Sequence, residues 1–198
     1  MGANISHSEN TEAITVPYPA FHSQVRSNYG FVDVRGRPEL VGEITESLNS
    51  AKFEVFLKRL ASTSAPIFSV GCDLGTHCDL SLDKHLREIA GGYLQVVSSW
   101  YTKVRPEHWA RLFNSVKHHV EQVVATDHWK VNFELAPVQV NLDGYNNLTG
   151  SVKIDFFACA PSRKKALNSR ERLIEAIDQG LSDDAITSSF EGSGIRPA

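Results

Sequence analysis

The chain has 198 residues, of which 41% are hydrophobic and 22% are charged, and its net charge at pH 7 is −3. This length suffices for one domain whose core needs no disulfide or metal, and the slightly negative charge argues against a general binder of nucleic acids or anionic membranes. Three cysteines in so long a chain indicate a reducing compartment rather than a disulfide framework. The N-terminus has no apolar signal sequence, and no apolar run is long enough for a membrane span. We therefore expect a cytoplasmic protein, in a host cytoplasm or a virion, that is neither secreted nor transmembrane.

The polar composition of the first residues predicts a flexible N-terminal arm over residues 1–12. Its first letters, MGANIS, match the N-myristoylation pattern with Gly2 as the acylated residue. A single acyl chain anchors a protein only weakly without a second signal, and the nearest positive residue is Arg26. Membrane contact is therefore expected only if Gly2 is acylated, and a polar arm is the favoured interpretation.

The next segment is extended by composition, because its two prolines push their neighbours towards β or polyproline II geometry. It carries Tyr18, Phe21 and Tyr29 in a stretch with little regular pattern. Arms of this kind often pack on another subunit, although packing on the same domain fits the sequence equally well. The three aromatic residues are therefore the candidate interface, and the assembly hypothesis predicts that residues 13–30 are buried between chains.

Residues 13–182 are predicted to form a single globular domain, and residues 183–198 a C-terminal tail. The apolar spacing along the first part of the domain changes repeatedly between that of helices and that of strands. It predicts a kinked helix or two helices within 40–60, a buried strand at 65–74, a short helix over 81–92 that ends at its glycines, a strand at 93–104 and a helix over 105–125.

The clearest strand pattern lies between residues 130 and 158, where apolar and polar residues alternate on both sides of Asp143-Gly144. Two alternating runs joined by Asp-Gly predict an antiparallel hairpin with one solvent-facing side. A last amphipathic helix begins near Ser162 and extends to about Gly180. This order of elements predicts an α+β fold, in which an antiparallel sheet that includes the hairpin is covered by amphipathic helices on one face.

The densest group of reactive side chains lies in GCDLGTHCDLSLDKH. Cys72, Cys78 and His85 are candidate zinc ligands, with Cys159 or His77 as a fourth, although the gap between the first two cysteines is wider than in known zinc motifs. The same segment allows a small enzyme in which Cys78 attacks a substrate, with His77 or His85 as the base. Cys72, however, ends a predicted buried strand, where cysteine serves as a small apolar residue. We expect no metal or other cofactor.

A second group of candidate residues is basic and lies in SRKKALNSRER. Arg163, Lys164, Lys165 and Arg170 are candidate ligands for phosphate or nucleic acid, and a helix N-terminus at Ser162 would assist them. The segment lacks aromatic residues for stacking bases, and its glutamates dilute the charge. A solvated helix face is the favoured interpretation, and nucleic acid is not a favoured partner.

The chain contains no nucleotide-binding fingerprint and no catalytic signature. The favoured hypothesis is therefore a non-enzymatic structural or interaction protein, a subunit of a larger assembly such as a coat or virion-type component, or an adaptor. Its partner is expected to be another protein or further copies of the chain itself. Two alternatives remain open, namely an N-myristoylated peripheral membrane or effector protein and a small enzyme that uses the Cys72–His85 segment.

Overall fold

The computed structural model describes residues 4–9, 11–23, 27–99, 106–123 and 128–182. These residues combine a mixed β-sheet with helices, so the predicted α+β fold is confirmed. Gly2, Arg26 and the predicted tail at 183–198 lie outside the described residues. The elements are strands β1 (Asn4–Glu9), β2 (Ile14–Val16), β3 (Phe21–His22), β4 (Ser27–Asn28), β5 (Ile67–Cys78), β6 (Glu88–Ser98), β7 (His128–Leu142) and β8 (Tyr145–Ala160), helices α1 (Ala51–Leu60), α2 (Pro106–Val123) and α3 (Arg163–Leu181), and 3₁₀ helices Pro38–Glu43 and Thr45–Asn49.

The main sheet has the strand order β1-β7-β8-β6-β5, and β2 also pairs with β7. The pairs β5–β6, β6–β8 and β8–β7 are antiparallel, whereas β1 and β2 run parallel to β7. β3 and β4 form a separate two-stranded ribbon. The sheet therefore has β5 at one edge and the two N-terminal strands at the other.

The predicted hairpin is confirmed. β7 and β8 pair in one continuous register from His128 opposite Cys159 to Leu142 opposite Tyr145. The two residues between them, Asp143 and Gly144, both have positive φ, at 53° and 75°. Asp-Gly suits such a two-residue turn because both residues tolerate the left-handed conformation, so this local sequence signal specifies the register of the longest strand pair.

One face of the sheet holds the main hydrophobic core beneath the three helices. Leu94 and Ile154 from the sheet and Leu112 and Leu173 from the helices are completely buried there. α2 and α3 approach each other closely at Gly180, where an added Cβ would lie 2.5 Å from the Val116 Cα. This contact gives Gly180 a packing role in the last turn of α3.

The short helix predicted over 81–92 is wrong. β6 begins at Glu88 and continues through both glycines of this segment. A Cβ at Gly92 would lie 1.9 Å from the Asp73 carbonyl oxygen, and one at Gly91 would lie 2.3 Å from a carbonyl oxygen of β8. The glycines therefore allow β6 to approach both of its neighbours, and tertiary contact overrides the helix-like spacing of the leucines before them.

The opposite face of the sheet carries a second, smaller core, which we call the arm cluster. Along β7, Phe133 belongs to the main core and Val138 to the arm cluster, as expected for positions an odd number of residues apart in a strand. The N-terminal segment covers this cluster with Val16, which is completely buried. The members of the arm cluster are Val16, Phe68, Val70, Val97, Val138, Val140 and Leu142, with Tyr18, Phe31 and Tyr145 packed against them.

The N-terminal arm differs from its prediction over residues 4–9. These residues form β1 and pair with β7, from Asn4 opposite Lys130 to Glu9 opposite Leu135. Backbone hydrogen bonds to an open strand edge require no particular side chains, so the polar sequence NISHSE gave no sign of a strand. None of the helices in the described ranges is long and apolar enough to cross a membrane.

Candidate functional site: an acidic cleft beside the N-terminal segment

A cleft of about 190 Å³ lies between the N-terminal segment, the two 3₁₀ helices and strands β5 and β6. We call it the arm cleft. Its lining comes from four separate parts of the chain, and the residues that define it are Tyr18, Phe31, Glu46, Cys72, Asp73 and Tyr93.

The aromatic side of the arm cleft is held in place by contacts within the N-terminal segment. The rings of Tyr18 and Phe31 meet edge to face with their centres 6.0 Å apart. The Phe31 backbone N–H donates a hydrogen bond of 3.0 Å to the Tyr18 carbonyl oxygen. A Cβ at Gly71 would lie 3.5 Å from the Tyr18 hydroxyl oxygen, so glycine keeps space open beside the phenol.

An arginine then ties the loop after this segment to the tip of the hairpin. Arg35 donates hydrogen bonds to Asp33 on its own loop and to Asp143 in the hairpin turn, with the Nη1–Oδ2 distance to Asp143 at 2.8 Å. Its guanidinium also lies over the ring of Phe68, 5.1 Å from the ring centre. These contacts fix the loop that leads from the arm to the first 3₁₀ helix.

The polar side of the arm cleft is acidic. Burial, and then the nearby Asp73 carboxylate, raise the pKa of Glu46 above its usual range. Glu43 also lines the cleft. The described lining residues include no lysine, arginine or histidine, and none of the three carboxylates has an ion-pair partner among the described residues. The cleft thus combines uncompensated negative charge with aromatic rings, a combination that suits a cation.

Tyr18 and Cys72, which also line the cleft, are neutral. Burial raises the pKa of the Tyr18 hydroxyl, and the pKa of the Cys72 thiol is raised by burial and then by the carboxylates of Glu46 and Asp73. Both groups stay protonated at neutral pH, so the negative charge of the cleft resides on its carboxylates. The phenol and the thiol add only neutral hydrogen-bonding groups.

The three aromatic residues predicted as an interface lie close to one another in the chain but differ in exposure. Tyr18 is half-buried in the arm cleft, whereas Phe21 and Tyr29 are 59% and 58% exposed. Phe21 lies on β3, and Tyr29, which follows β4, both lines the cleft and meets His22 edge to face at 5.6 Å. The ribbon of β3 and β4 therefore presents two aromatic rings to solvent beside the cleft.

The structure does not bring the candidate zinc ligands together. Cys72 and Cys78 lie six residues apart on the single strand β5, which at the rise of a strand separates them by about 20 Å. His85 lies in the turns between β5 and β6. Among the described residues, no group of three histidine, cysteine, aspartate or glutamate side chains is placed to hold a metal ion.

The alternative of a cysteine nucleophile also lacks support in the geometry. His77 and Cys78 are consecutive residues of β5, so their side chains point to opposite faces. Partial desolvation and then the neighbouring Glu88 carboxylate raise the pKa of Cys78, and burial raises the pKa of Cys159. A nucleophilic cysteine needs a lowered pKa, so these thiols have the wrong electrostatic environment.

The candidate phosphate ligands separate into an exposed group and a buried residue. Arg163, Lys164 and Lys165 are exposed in the first turn of α3, and we call them the basic turn. Arg170 is only 3% exposed and donates hydrogen bonds to the Asn49 carbonyl oxygen and to the carboxylate of its neighbour in α3. Arg170 therefore joins α3 to the end of the second 3₁₀ helix and is not accessible to a ligand.

Sequence patterns gave no indication of Glu46 or Tyr93 as site residues, and they singled out Asp73 only as part of the reactive segment GCDLGTHCDLSLDKH. The three residues come from a 3₁₀ helix, β5 and β6, and only the folded sheet places Asp73 opposite Tyr93. No protein-family model, no curated protein and no solved structure matches this chain. Its function is therefore inferred from the arm cleft, the exposed aromatic residues and the basic turn.

Proposed function

We propose that this chain is a non-enzymatic interaction protein and a subunit of a larger assembly made of copies of itself. The observation that carries this proposal is the exposure of Phe21 and Tyr29 on an anchored ribbon. Exposed aromatic rings are typical of protein interfaces, where they supply much of the buried area.

The anchoring of the ribbon supports the same proposal. Val16 and Tyr18 precede β3, Phe31 follows β4, and all three pack in the arm cluster. Because the ribbon is already held at both of its ends, binding a partner would order few additional residues. A preorganised surface of this kind loses little conformational entropy on association.

The electrostatics of the thiols favour the non-enzymatic hypothesis over the enzyme hypothesis. The pKa of each cysteine is raised, with desolvation the first cause in each case. The acidic residues of the arm cleft likewise suit the recognition of a cation.

Sedimentation velocity of the full chain over a range of concentrations tests this proposal. We expect oligomers that grow with concentration, and we expect Phe21→Ala combined with Tyr29→Ala to weaken association by about tenfold or more, because buried aromatic residues dominate interface energies. Val55→Ala is the matched control, since Val55 is an equally exposed apolar residue on α1. A wild-type chain that remains a single monomeric species at every concentration would contradict the proposal.

A further inference from the structure

We propose that the copies associate head to tail, with the basic turn of one chain inserted into the arm cleft of the next. This inference rests on the proposed function, and it names both the surface and the partner. The two surfaces are opposite in charge, and both belong to this chain.

The arm cleft has the properties of a receptor for one cationic side chain. Glu46, Asp73 and Glu43 supply negative charge, and the rings of Tyr18 and Tyr93 supply aromatic walls. Tyr93 already interacts with a cation, since the Lys153 ammonium lies 5.0 Å from the centre of its ring. That ammonium is paired with Asp155 and does not compensate the carboxylates of the cleft. At about 190 Å³ the cleft is smaller than the usual site of a drug-sized ligand, which fits a single long side chain.

The basic turn has the properties of the matching ligand. Arg163, Lys164 and Lys165 are all exposed, and none of them has an ion-pair partner within the described parts of the chain. Ser162 caps the helix, and its side chain accepts a hydrogen bond from the Lys165 backbone N–H. Three consecutive cations on a capped helical turn allow one side chain to enter the cleft while the others face its acidic rim.

The basic turn lies away from the arm cleft of its own chain. α3 follows Ala160, which pairs with Glu88 at the start of β6. Tyr93 of the cleft lies five residues further along β6, which corresponds to about 17 Å. The described residues that line the cleft include no cation, and a second copy of this chain carries exposed cations in its basic turn.

Head-to-tail contact has a specific consequence for assembly. The cleft and the turn are different surfaces, so each bound copy leaves one free cleft at one end and one free turn at the other. Such a heterologous interface produces a ring if the rotation closes and an open filament if it does not.

A complementation experiment tests the inference on the full chain. The cleft variant carries Glu46→Gln and Asp73→Asn and keeps its basic turn, whereas the turn variant carries Lys164→Glu and Lys165→Glu and keeps its cleft. We expect each variant alone to lose self-association by about tenfold or more, because each loses charge-assisted hydrogen bonds. When the two variants are mixed in equal amounts, the intact turn of the cleft variant can bind the intact cleft of the turn variant. The resulting heterodimer should not grow further, because its remaining cleft and its remaining turn are both mutated.

Two control variants change exposed charges elsewhere on the chain. Glu39→Gln and Lys84→Glu change exposed charges outside the cleft and the turn and should assemble like the wild type. Near-native circular dichroism would show that the variants fold. If the wild type assembles but the mixture yields no heterodimer, or if either variant alone assembles like the wild type, the head-to-tail inference is overturned while the proposed function stands. A monomeric wild type would overturn both.

Discussion

The helix-covered face of the sheet and the face covered by the N-terminal segment both bury apolar side chains. These side chains come from different kinds of secondary structure on the two faces. On the first face, 27 of the described residues form one cluster, and most of them come from long helices and strands. On the second face, the arm cluster has seven buried members, and its N-terminal cover is a short extended segment.

This difference indicates which part of the molecule can change conformation at a small cost in free energy. Apolar burial contributes roughly in proportion to area, so the main core dominates the free energy of unfolding. The arm cluster contributes less, and regions of low local stability are those from which binding surfaces are usually drawn. The exposed aromatic residues lie in the segment that covers this second side, and the arm cleft borders it through Tyr18 and Phe31.

Phe156→Ala should cause the largest loss of stability, because it removes a ring from the helix-covered face. Phe156 is completely buried in the main core, and removing a buried phenylalanine ring costs about 4 kcal/mol. Urea unfolding should show a lower midpoint and an unchanged slope. Phe157→Ala is the control. Phe157 is the next residue in β8, so its side chain points to the opposite face, and it is 37% exposed. This control should cost about 1 kcal/mol, and equal losses for the two variants would contradict the assignment of the core.

Gly180→Ala should weaken the contact between α2 and α3. The new Cβ would lie 2.5 Å from the Val116 Cα, so the helices must move apart. We expect a loss of about 2 kcal/mol in thermal or urea unfolding, even though alanine favours a helix more than glycine does. Gln179→Ala, at the neighbouring exposed position, should change little. A more stable Gly180→Ala variant would show that the helices are not in close contact.

Val16→Ala should affect the arm-covered face more than the rest of the molecule. Val16 is completely buried, and losing two methylene equivalents costs about 1.5 kcal/mol. The Phe31 amide donates to the Tyr18 carbonyl oxygen, so its hydrogen exchange reports release of this segment. We expect its exchange to accelerate more than that of amides in α3. Equal acceleration in both places would mean that the two faces unfold as one unit.

Glu46→Gln should have the smallest effect on stability, and its sign is informative. The pKa of Glu46 in the folded chain is raised by burial and by Asp73. The stability that Glu46 contributes is therefore complete below its unfolded pKa of about 4.3. It is lost as the pH rises through the folded pKa. The glutamine variant should therefore be slightly more stable than the wild type at neutral pH, with the difference disappearing in acid.

Unfolding curves measured at several pH values check this prediction, with Glu39→Gln as the exposed control. A variant that is less stable than the wild type at neutral pH would show that the Glu46 carboxylate is satisfied within its own chain. A gain in stability together with a loss of assembly is the pattern expected of a residue retained for binding.

The parts of the fold that the sequence predicts are those specified by local chemistry. Asp143-Gly144 between two alternating runs predicts the hairpin, and Ser162 before an amphipathic run predicts the start of α3. Both signals depend on residues close in sequence. The α+β class follows from the order of such elements.

The parts that the sequence does not predict depend on contacts between distant residues. Gly91 and Gly92 resemble a helix end in sequence, but their role is to let β6 pass close to its neighbours. The arm cleft joins Tyr18, Glu46 and Tyr93, which are far apart in the chain. Of its defining residues, only Tyr18, Cys72 and Asp73 are notable in the sequence, and the charge of the cleft is apparent only after folding.

The position of β1 and β2 has a consequence for protein quality control. β7 is 15 residues long, and the two N-terminal strands pair with six and three of its residues. An uncovered strand of this length presents unpaired backbone groups that recruit strands from other molecules into fibrillar aggregates. The polar segment at the N-terminus thus shields the sheet edge, and proteolytic trimming of that segment would create an aggregation-prone species even though the main core remained intact.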